Sequence, residues 1–290
     1  MIIDFKYHIA SIIAVFLALG IGILIGSAVL GNNVNEAIFQ QQSRIYDNLR
    51  RDLDKMKSDN RAAKMQIKSW ESSINVNNQF EKGILPVLVD GLLTGRTIAV
   101  VVTGDGGNLN ELINTLKIAG AKISSTTTIL DGFSLANESK RKEVATKLML
   151  QGSAATMCKE ISREVAEGII SRQNIENLMY FKQLGIVKIS GSYGIPVDAV
   201  ILAGGNTRSL CDNIDVPIIK YLLSKNVMVF GVESSQTQNS YMKQYQKLKI
   251  STIDNIDMVP GQLSLIMALS GKIGDYGIKP TAQRLIPEIP

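Results

Sequence analysis

The sequence contains a single histidine, His8, which lies close to the N-terminus. A Ser-His or Cys-His catalytic pair is therefore excluded from the rest of the chain. The sequence also lacks a GxSxG nucleophile motif, a GxGxxG motif and a Walker A motif, so nothing in it indicates a serine hydrolase or a nucleotide-binding enzyme. We expect a protein that is not an enzyme.

Cysteine is almost as scarce, because Cys158 and Cys211 are the only two and neither lies in a CxxC motif. Two cysteines are too few for a zinc site or a disulfide framework. They are compatible with one disulfide outside the cell or with two separate buried thiols. Cu(I) prefers thiolate and thioether ligands, and Met157-Cys158 is the one adjacent pair of such residues, so Met157 and Cys158 are candidate metal ligands.

The chain has no concentrated block of charge. Its net charge of +5 is spread along 290 residues, which does not resemble a nucleic-acid-binding surface. We therefore expect no nucleic-acid partner.

Residues 9–30 lack any charged side chain, and at about 1.5 Å per residue this run would form a helix about 33 Å long. That length matches the hydrocarbon core of a membrane and predicts a single-pass transmembrane helix after an N-terminal tail of residues 1–8. A cleaved signal peptide and a buried core helix are the alternatives. Lys6 and the terminal amine favour a cytoplasmic N-terminus. Gly22 and Gly26 form a GxxxG pair, preceded by Gly20, which would let two such helices approach closely.

No proline or glycine occurs between residues 35 and 79, which favours a long helix after a joint at Gly31-Asn32-Asn33. With Phe39 at heptad position a, nine of the twelve a and d positions are apolar, and the pattern predicts a parallel coiled-coil homodimer over residues 34–80. The predicted dimerisation residues are Gly22, Gly26, Tyr46, Leu49, Leu53, Met56, Asn60, Ala63, Ile67, Trp70 and Ile74. The alternative is an amphipathic helix packed on its own globular domain.

The flanking e and g positions favour the parallel arrangement. They pair Asp52 of one chain with Lys57 of the other, and Asp59 with Lys64, and both pairs have opposite charge. Asn60 at a core position favours a two-stranded parallel register.

From Gly95 onward, runs of β-branched residues alternate with segments of helical length. Predicted strands at residues 97–102, 122–129, 186–189, 198–202 and 227–232 alternate with predicted helices at 108–119, 137–150, 158–184, 213–225 and 262–269. Strands separated by helices form parallel βαβ units, so residues 95–290 are predicted to be an α/β domain with a Rossmann-like doubly wound parallel sheet.

Sheets of this kind bind ligands at the carboxyl ends of their strands. Four polar loops lie at or near such ends, and their candidate ligand-binding residues are Gly104, Asp105, Gly106, Gly204, Gly205, Asn206, Glu233, Asp254 and Asp257. The alternative is that these glycines only turn the chain. We predict no cofactor from these residues.

Several blocks together resemble a known family: the opening FKYHIASIIAVFLALGIGILIGS, the helix directly behind it, STIDNID at 251–257, Pro260-Gly261-Gln262 and Gly274-Asp275-Tyr276-Gly277. The chain is similar over essentially its whole length to the mycobacterial copper transport protein B (MctB-like) family. The resemblance implies a single-pass membrane protein with its globular domain outside the cytoplasm and a role in copper homeostasis or efflux.

The residues themselves favour a second role. One transmembrane helix cannot enclose a channel, whereas an anchor, a coiled coil and an α/β head form a dimeric scaffold that presents its head to a partner protein. The resemblance implies that such a scaffold acts in a cell-envelope or division complex. An enzyme using Asp105 or Asp254 is a third hypothesis, which predicts a small molecule bound in the crevice.

Overall fold

The computed structural model describes residues 5–104, 109–206 and 211–288, and for residues 5, 30–37 and 173 it describes the backbone only. The chain forms two units, Met1–Asn75 and Val76–Pro290. Helix α1, Phe5–Val89, supplies most of the first unit and the first part of the second. It contains one segment, Lys6–Val29, that is long and apolar enough to cross a membrane.

Helix α1 is longer than the sequence predicts. The expected joint at residues 31–33 is wrong, because the helical backbone runs through it. One glycine in a helix costs only about 1 kcal/mol relative to alanine, which neighbouring turns readily offset. The helix also continues past residue 79, through Pro86, and ends where Gly91 adopts a positive φ of 70° and the amide of Leu92 donates to the carbonyl of Val89.

The second unit is a mixed α/β structure, which confirms the α/β part of the predicted fold class. Its helices after α1 are α2 (Leu109–Ile118), α3 (Glu138–Lys147), α4 (Ala154–Ile170), α5 (Ile175–Gln183), α6 (Val216–Ser224), α7 (Met242–Lys247) and α8 (Val259–Leu269). Its strands are β1 (Thr97–Val102), β2 (Lys122–Ile129), β3 (Val187–Gly191), β4 (Ala199–Ala203), β5 (Met228–Val232), β6 (Ser251–Ile253) and β7 (Asp275–Tyr276).

The seven strands form one sheet in the order β3-β2-β1-β4-β5-β6-β7. All neighbouring pairs are parallel except β2 and β3, so the prediction of a wholly parallel sheet is wrong at this edge. Sequence analysis also misses β6 and β7, because three and two residues are too short to show a strand pattern. The chain leaves β1 toward β2 and later returns to β4 on the other side, which places a topological switch point between β1 and β4.

The predicted helix at 158–184 is two helices. It begins earlier, at Ala154, because the Ser153 hydroxyl caps it by accepting from the Thr156 amide at 3.3 Å. It ends at Ile170, and α5 then packs back so closely that a Cβ at Gly168 would lie 3.2 Å from both the Asn174 carbonyl oxygen and the Leu178 side chain.

Helices cover both faces of the sheet, and each face has its own apolar core. One core joins alternate residues of β1 and β4, such as Val101 and Leu202, to α4, α5, α6 and α7. The other joins the intervening residues, such as Val100 and Ile201, to the end of α1, α2 and α8. The alternation of buried faces along each strand explains why the β-branched runs of the sequence are apolar throughout.

Because α4 packs into the first core, we predict that removing one of its buried side chains lowers the free energy of unfolding substantially. Ile161 is fully buried there, so Ile161→Ala should lower the free energy of unfolding of the second unit by about 2–5 kcal/mol through lost burial and the remaining cavity. Denaturant unfolding of the full chain in detergent, followed by the near-ultraviolet signal of the buried tyrosines, measures this change. Ile273→Ala, at a side chain that is 67% exposed, is the control and should change stability by less than about 0.5 kcal/mol. Equal effects of the two substitutions would contradict this packing.

Candidate functional site

The predicted ligand-binding residues in the described ranges lie along one edge of the sheet. Because β1, β4, β5 and β6 are parallel neighbours, their carboxyl ends meet at this edge. The edge carries Gly104, the segment 204–206, Glu233 and the segment 254–257. Two further predicted residues, Asp105 and Gly106, lie outside the described residues.

The backbones following β1 and β4 approach each other at the switch point. A Cβ at Gly104 would overlap the carbonyl oxygen of Gly205, so glycine is required there by the close approach. Gly205 itself has a φ of +121°. The next residue, Asn206, exchanges two hydrogen bonds with Asn239: its amide donates to the Asn239 carbonyl at 3.0 Å, and its carbonyl accepts from Asn239 Nδ2 at 2.8 Å. The segments that follow β1 and β4 therefore pack closely against each other at this end of the sheet.

Glu233 follows β5 and is fully buried, where it pairs with a lysine that the sequence analysis missed. Lys279 Nζ lies 2.7 Å from Glu233 Oε1 and also donates to the carbonyls of Ser234 and Thr237. The second carboxylate oxygen accepts from the amide of Tyr241 at 3.2 Å. A buried carboxylate with a cation and a backbone donor is compensated, so this pair ties the end of β5 to the C-terminal segment.

The two aspartates after β6 also hold backbone. Asp254 accepts from the amides of Ile278 at 2.7 Å and Lys279 at 3.0 Å. Asp257 accepts from both the amide and the hydroxyl of Ser235 at 2.6 Å. Burial raises the pKa of Asp257, but the Ser235 hydrogen bonds outweigh it and the net pKa is lowered. Glu233, Asp254 and Asp257 therefore each have a different partner within the protein: the Lys279 side chain, the amides of Ile278 and Lys279, and Ser235, respectively.

A fourth acid, Asp215, lies under the switch point and is absent from the predicted site. It ends a π-helical turn, Cys211–Asp215, and is fully buried. Its Oδ2 accepts a short hydrogen bond from the hydroxyl of Tyr245, and a Cβ at Gly204 would press on both groups. Its Oδ1 has no hydrogen-bond partner among the residues that the structure describes. The sequence did not indicate a role for Asp215, because this residue falls inside the predicted helix at 213–225.

Burial controls the ionisation of this group. It raises the pKa of Asp215 to about 7, although hydrogen bonds from Tyr245 and Thr103 lower it. Burial, followed by the charge of Asp215, raises the pKa of Tyr245 well above its ordinary value. Burial and the same aspartate raise the pKa of Cys211 to about 12. This cluster can take up or release one proton near neutral pH.

The candidate metal ligands Met157 and Cys158 lie on α4 in the apolar core and are both buried. The Cys158 thiol donates to the carbonyl of Phe133 at 3.1 Å, and burial raises its pKa. Both cysteines are free, so the alternative of two separate buried thiols holds. Within residues 5–104, 109–206 and 211–288, no three His, Cys, Asp or Glu side chains are grouped to hold a metal ion.

The predicted dimerisation residues lie along the first unit, in α1. Every residue from 38 to 80 is exposed within this single chain, including Tyr46 at 75% and Trp70 at 59%. Gly22 and Gly26 have open space where a Cβ would project. The apolar heptad positions therefore remain available for contact with a second molecule.

The raised pKa of Asp215 predicts a pH dependence of stability. Because the folded pKa lies above the unfolded value of 3.8, the stabilising contribution is fully present below about pH 4 and is lost as the pH rises to about 7. Asp215→Asn should remove this slope, which approaches about 1.4 kcal/mol per pH unit for one proton. Urea unfolding of the full chain between pH 4.5 and 7.5 measures it.

Asp257→Asn is the matched control for that measurement. The pKa of Asp257 is lowered, so its contribution is lost only as the pH falls below the ordinary aspartate range. This variant should keep the wild-type slope between pH 5 and 7. An unchanged slope in Asp215→Asn would show that Asp215 does not titrate in this range.

Comparison with known proteins extends over nearly the whole chain. The family model described as "Copper transport outer membrane protein, MctB" matches residues 2–287. Proteins named copper transporter MctB from Mycobacterium tuberculosis and Mycobacterium bovis are 21% identical over 313 aligned residues, covering 95% of this chain and 96% of the relative. The protein of that name from Mycobacterium leprae is 21% identical over 317 residues with the same coverage. These matches confirm the resemblance found in the sequence: the chain belongs to the MctB family.

Proposed function

We propose that this protein contributes to copper homeostasis or efflux as a single-pass membrane protein. The family match over residues 2–287 carries this proposal, and the relatives' name, copper transporter, supplies the cargo. The apolar segment Lys6–Val29 supports membrane anchoring. Lys6 on the N-terminal side favours an N-terminus in the cytoplasm and an α/β unit outside it.

The chemistry of the described residues limits how copper would be held. Met157 and Cys158 have the soft donor atoms that Cu(I) prefers. However, binding there requires the Cys158 thiol to lose its proton and its hydrogen bond to Phe133, and burial opposes the first of these changes. We therefore propose that copper is handled through an assembly of this protein, with the pair on α4 as the first place to test for direct binding.

Deleting the gene in its native host should raise cellular copper and reduce growth in copper-containing medium, because an export function is lost. Elemental analysis and growth curves measure both effects, and expression of the wild-type chain should restore them. Unchanged copper content and growth would contradict the copper role.

For direct copper binding at Cys158, the other buried cysteine, Cys211, provides the control. Under anaerobic titration of the full chain in detergent, Cys158→Ala should lower Cu(I) stoichiometry only if the α4 pair is a ligand site, whereas Cys211→Ala should not. If neither variant nor the wild type takes up copper while the deletion phenotype persists, copper handling depends on partners.

We propose, second, that the protein is a parallel coiled-coil homodimer and acts as a scaffold in the cell envelope, where its α/β unit binds a partner protein. The observation that favours this role is the exposed apolar seam of α1, which continues over six heptads from Phe39. Exposed apolar side chains at this regular spacing are stabilised when a second helix covers them. Opposite charges at Asp52 with Lys57, and at Asp59 with Lys64, support the parallel register.

Replacing two seam residues should dissociate this dimer. Leu53→Ser with Ile67→Ser removes four buried apolar side chains per dimer, each worth about 1.5–3 kcal/mol, so dimerisation should weaken by at least about a thousandfold. Light scattering of the full chain in detergent gives the mass directly. Met65→Ser is the matched control, because Met65 is equally apolar and exposed but occupies the outward f position. A dimer that survives the double substitution would contradict dimerisation through these heptad positions.

A further inference from the structure

A cleft in the second unit lies between the last turns of α1, helix α2 and helix α8. It has a volume of about 190 Å³. None of the described residues that line it is one of the candidate ligand-binding residues at the carboxyl ends of the strands. Its walls include Leu85 and Pro86 of α1, Ile118 of α2 and Val259 of α8. Three different helices form the walls, and the rest of the lining is polar or charged: Lys82, Glu111, Asn114, Thr115 and Gln262.

One polar side chain in this cleft has unused hydrogen-bonding capacity. Gln262, at the start of α8, is only 4% exposed, and its Oε1 accepts from the Thr115 hydroxyl at 2.7 Å. No hydrogen bond among the described residues engages the Nε2 group of Gln262. Solvent in the cleft reaches this Nε2 group, so a ligand acceptor bound there would replace a water molecule as its hydrogen-bond partner.

A charged pair stands at the mouth of the cleft. Lys82 Nζ of α1 lies 3.0 Å from Glu111 Oε1 of α2, and both side chains are more than half exposed. Such an exposed pair contributes little stability and rearranges at low cost. The cleft thus combines an apolar part of its wall with a polar donor and an exposed charged pair.

We propose that this cleft binds a small amphipathic molecule with an apolar body and a hydrogen-bond acceptor at one end. The apolar body would contact Leu85, Ile118 and Val259, and the acceptor would receive the Nε2 hydrogen bond of Gln262. An apolar cavity of about 150 Å³ accommodates benzene, so a cleft of this size fits a molecule of about eight to ten non-hydrogen atoms. Small-molecule sites with apolar walls and one or two placed polar groups commonly have this composition. This site goes beyond the copper and scaffold roles and depends on neither.

Two probes of nearly the same shape separate the apolar from the polar contribution. Acetophenone carries a carbonyl acceptor where cumene carries a methyl group. Methyl NMR of Leu85 and Val259 in the full chain in detergent follows their binding. Both probes should give saturable shifts at these methyl groups. Partition into detergent is common to all variants, so affinities are compared between variants for each probe.

Gln262→Met should weaken acetophenone binding about tenfold and leave cumene binding unchanged, because only the hydrogen bond is removed. Thr115 keeps a hydrogen bond in this variant, because its hydroxyl proton, which Gln262 Oε1 accepts in the wild type, can be donated instead to the Glu111 carbonyl 2.9 Å away. Ile118→Trp should block both probes by filling the cleft. Leu223→Trp, on the surface of α6, is the matched control and should bind both as the wild type does.

Two results would overturn the proposal. Shifts that do not saturate, or that persist unchanged in Ile118→Trp, would show that the probes do not occupy the cleft. An equal loss of both probes in Gln262→Met would show that its amide does not select an acceptor.

Discussion

The exposed apolar seam of α1 is the constraint on which the organisation of this protein depends. Side chains such as Phe39, Leu53 and Trp70 recur at heptad spacing and face solvent in the single chain. Water disfavours this surface, and in the proposed homodimer a second helix with the same pattern would cover it. An apolar segment at the N-terminal end of the same helix suggests a membrane anchor. If two chains share one membrane, their helices start at the same level, and a parallel register is the arrangement compatible with that geometry.

The α/β unit depends on a different set of interactions. Those predicted ligand-binding carboxylates that the structure describes hold the carboxyl ends of the strands in place, with Glu233 bound to Lys279 and Asp254 bound to backbone amides of the C-terminal segment. The buried Asp215–Tyr245 pair lies beneath the switch point, where related sheet topologies bind ligands. The proposed copper role therefore rests on the family match, whereas these described contacts hold the backbone of the α/β unit together.

Periodicity predicted the parts of the structure that have strong local signals. The apolar run, the heptads and the β-branched strands correctly predicted an apolar N-terminal helical segment, a long helix and a sheet whose pairs are parallel except β2 with β3. The sequence did not predict β6 and β7, because strands of three and two residues are too short to show a pattern. It also did not predict that β3 runs antiparallel to β2, because strand direction is set by the folded domain and not by local pattern. The candidate residues were predicted to meet at the carboxyl ends of the strands, and the described ones lie there, but their ion pairing is non-local. Lys279 lies 46 positions from Glu233, and no spacing rule connects them.

The parallel register of α1 is the central claim, and inter-spin distances at two outward positions test it most directly. Ser58 and Ser72 both occupy heptad position f, two heptads apart. Spin labels at Ser58→Cys or at Ser72→Cys, each in a background with Cys158 and Cys211 replaced by alanine, should give nearly the same distance in a parallel, in-register dimer. In an antiparallel dimer of the heptads from Phe39 to Asn77, Ser58 lies at the midpoint and Ser72 lies 14 residues from it. Each residue of offset then separates the two labels by about 3 Å along the axis, twice the helical rise. Clearly different distances at the two sites, or no inter-spin coupling at all, would contradict the account.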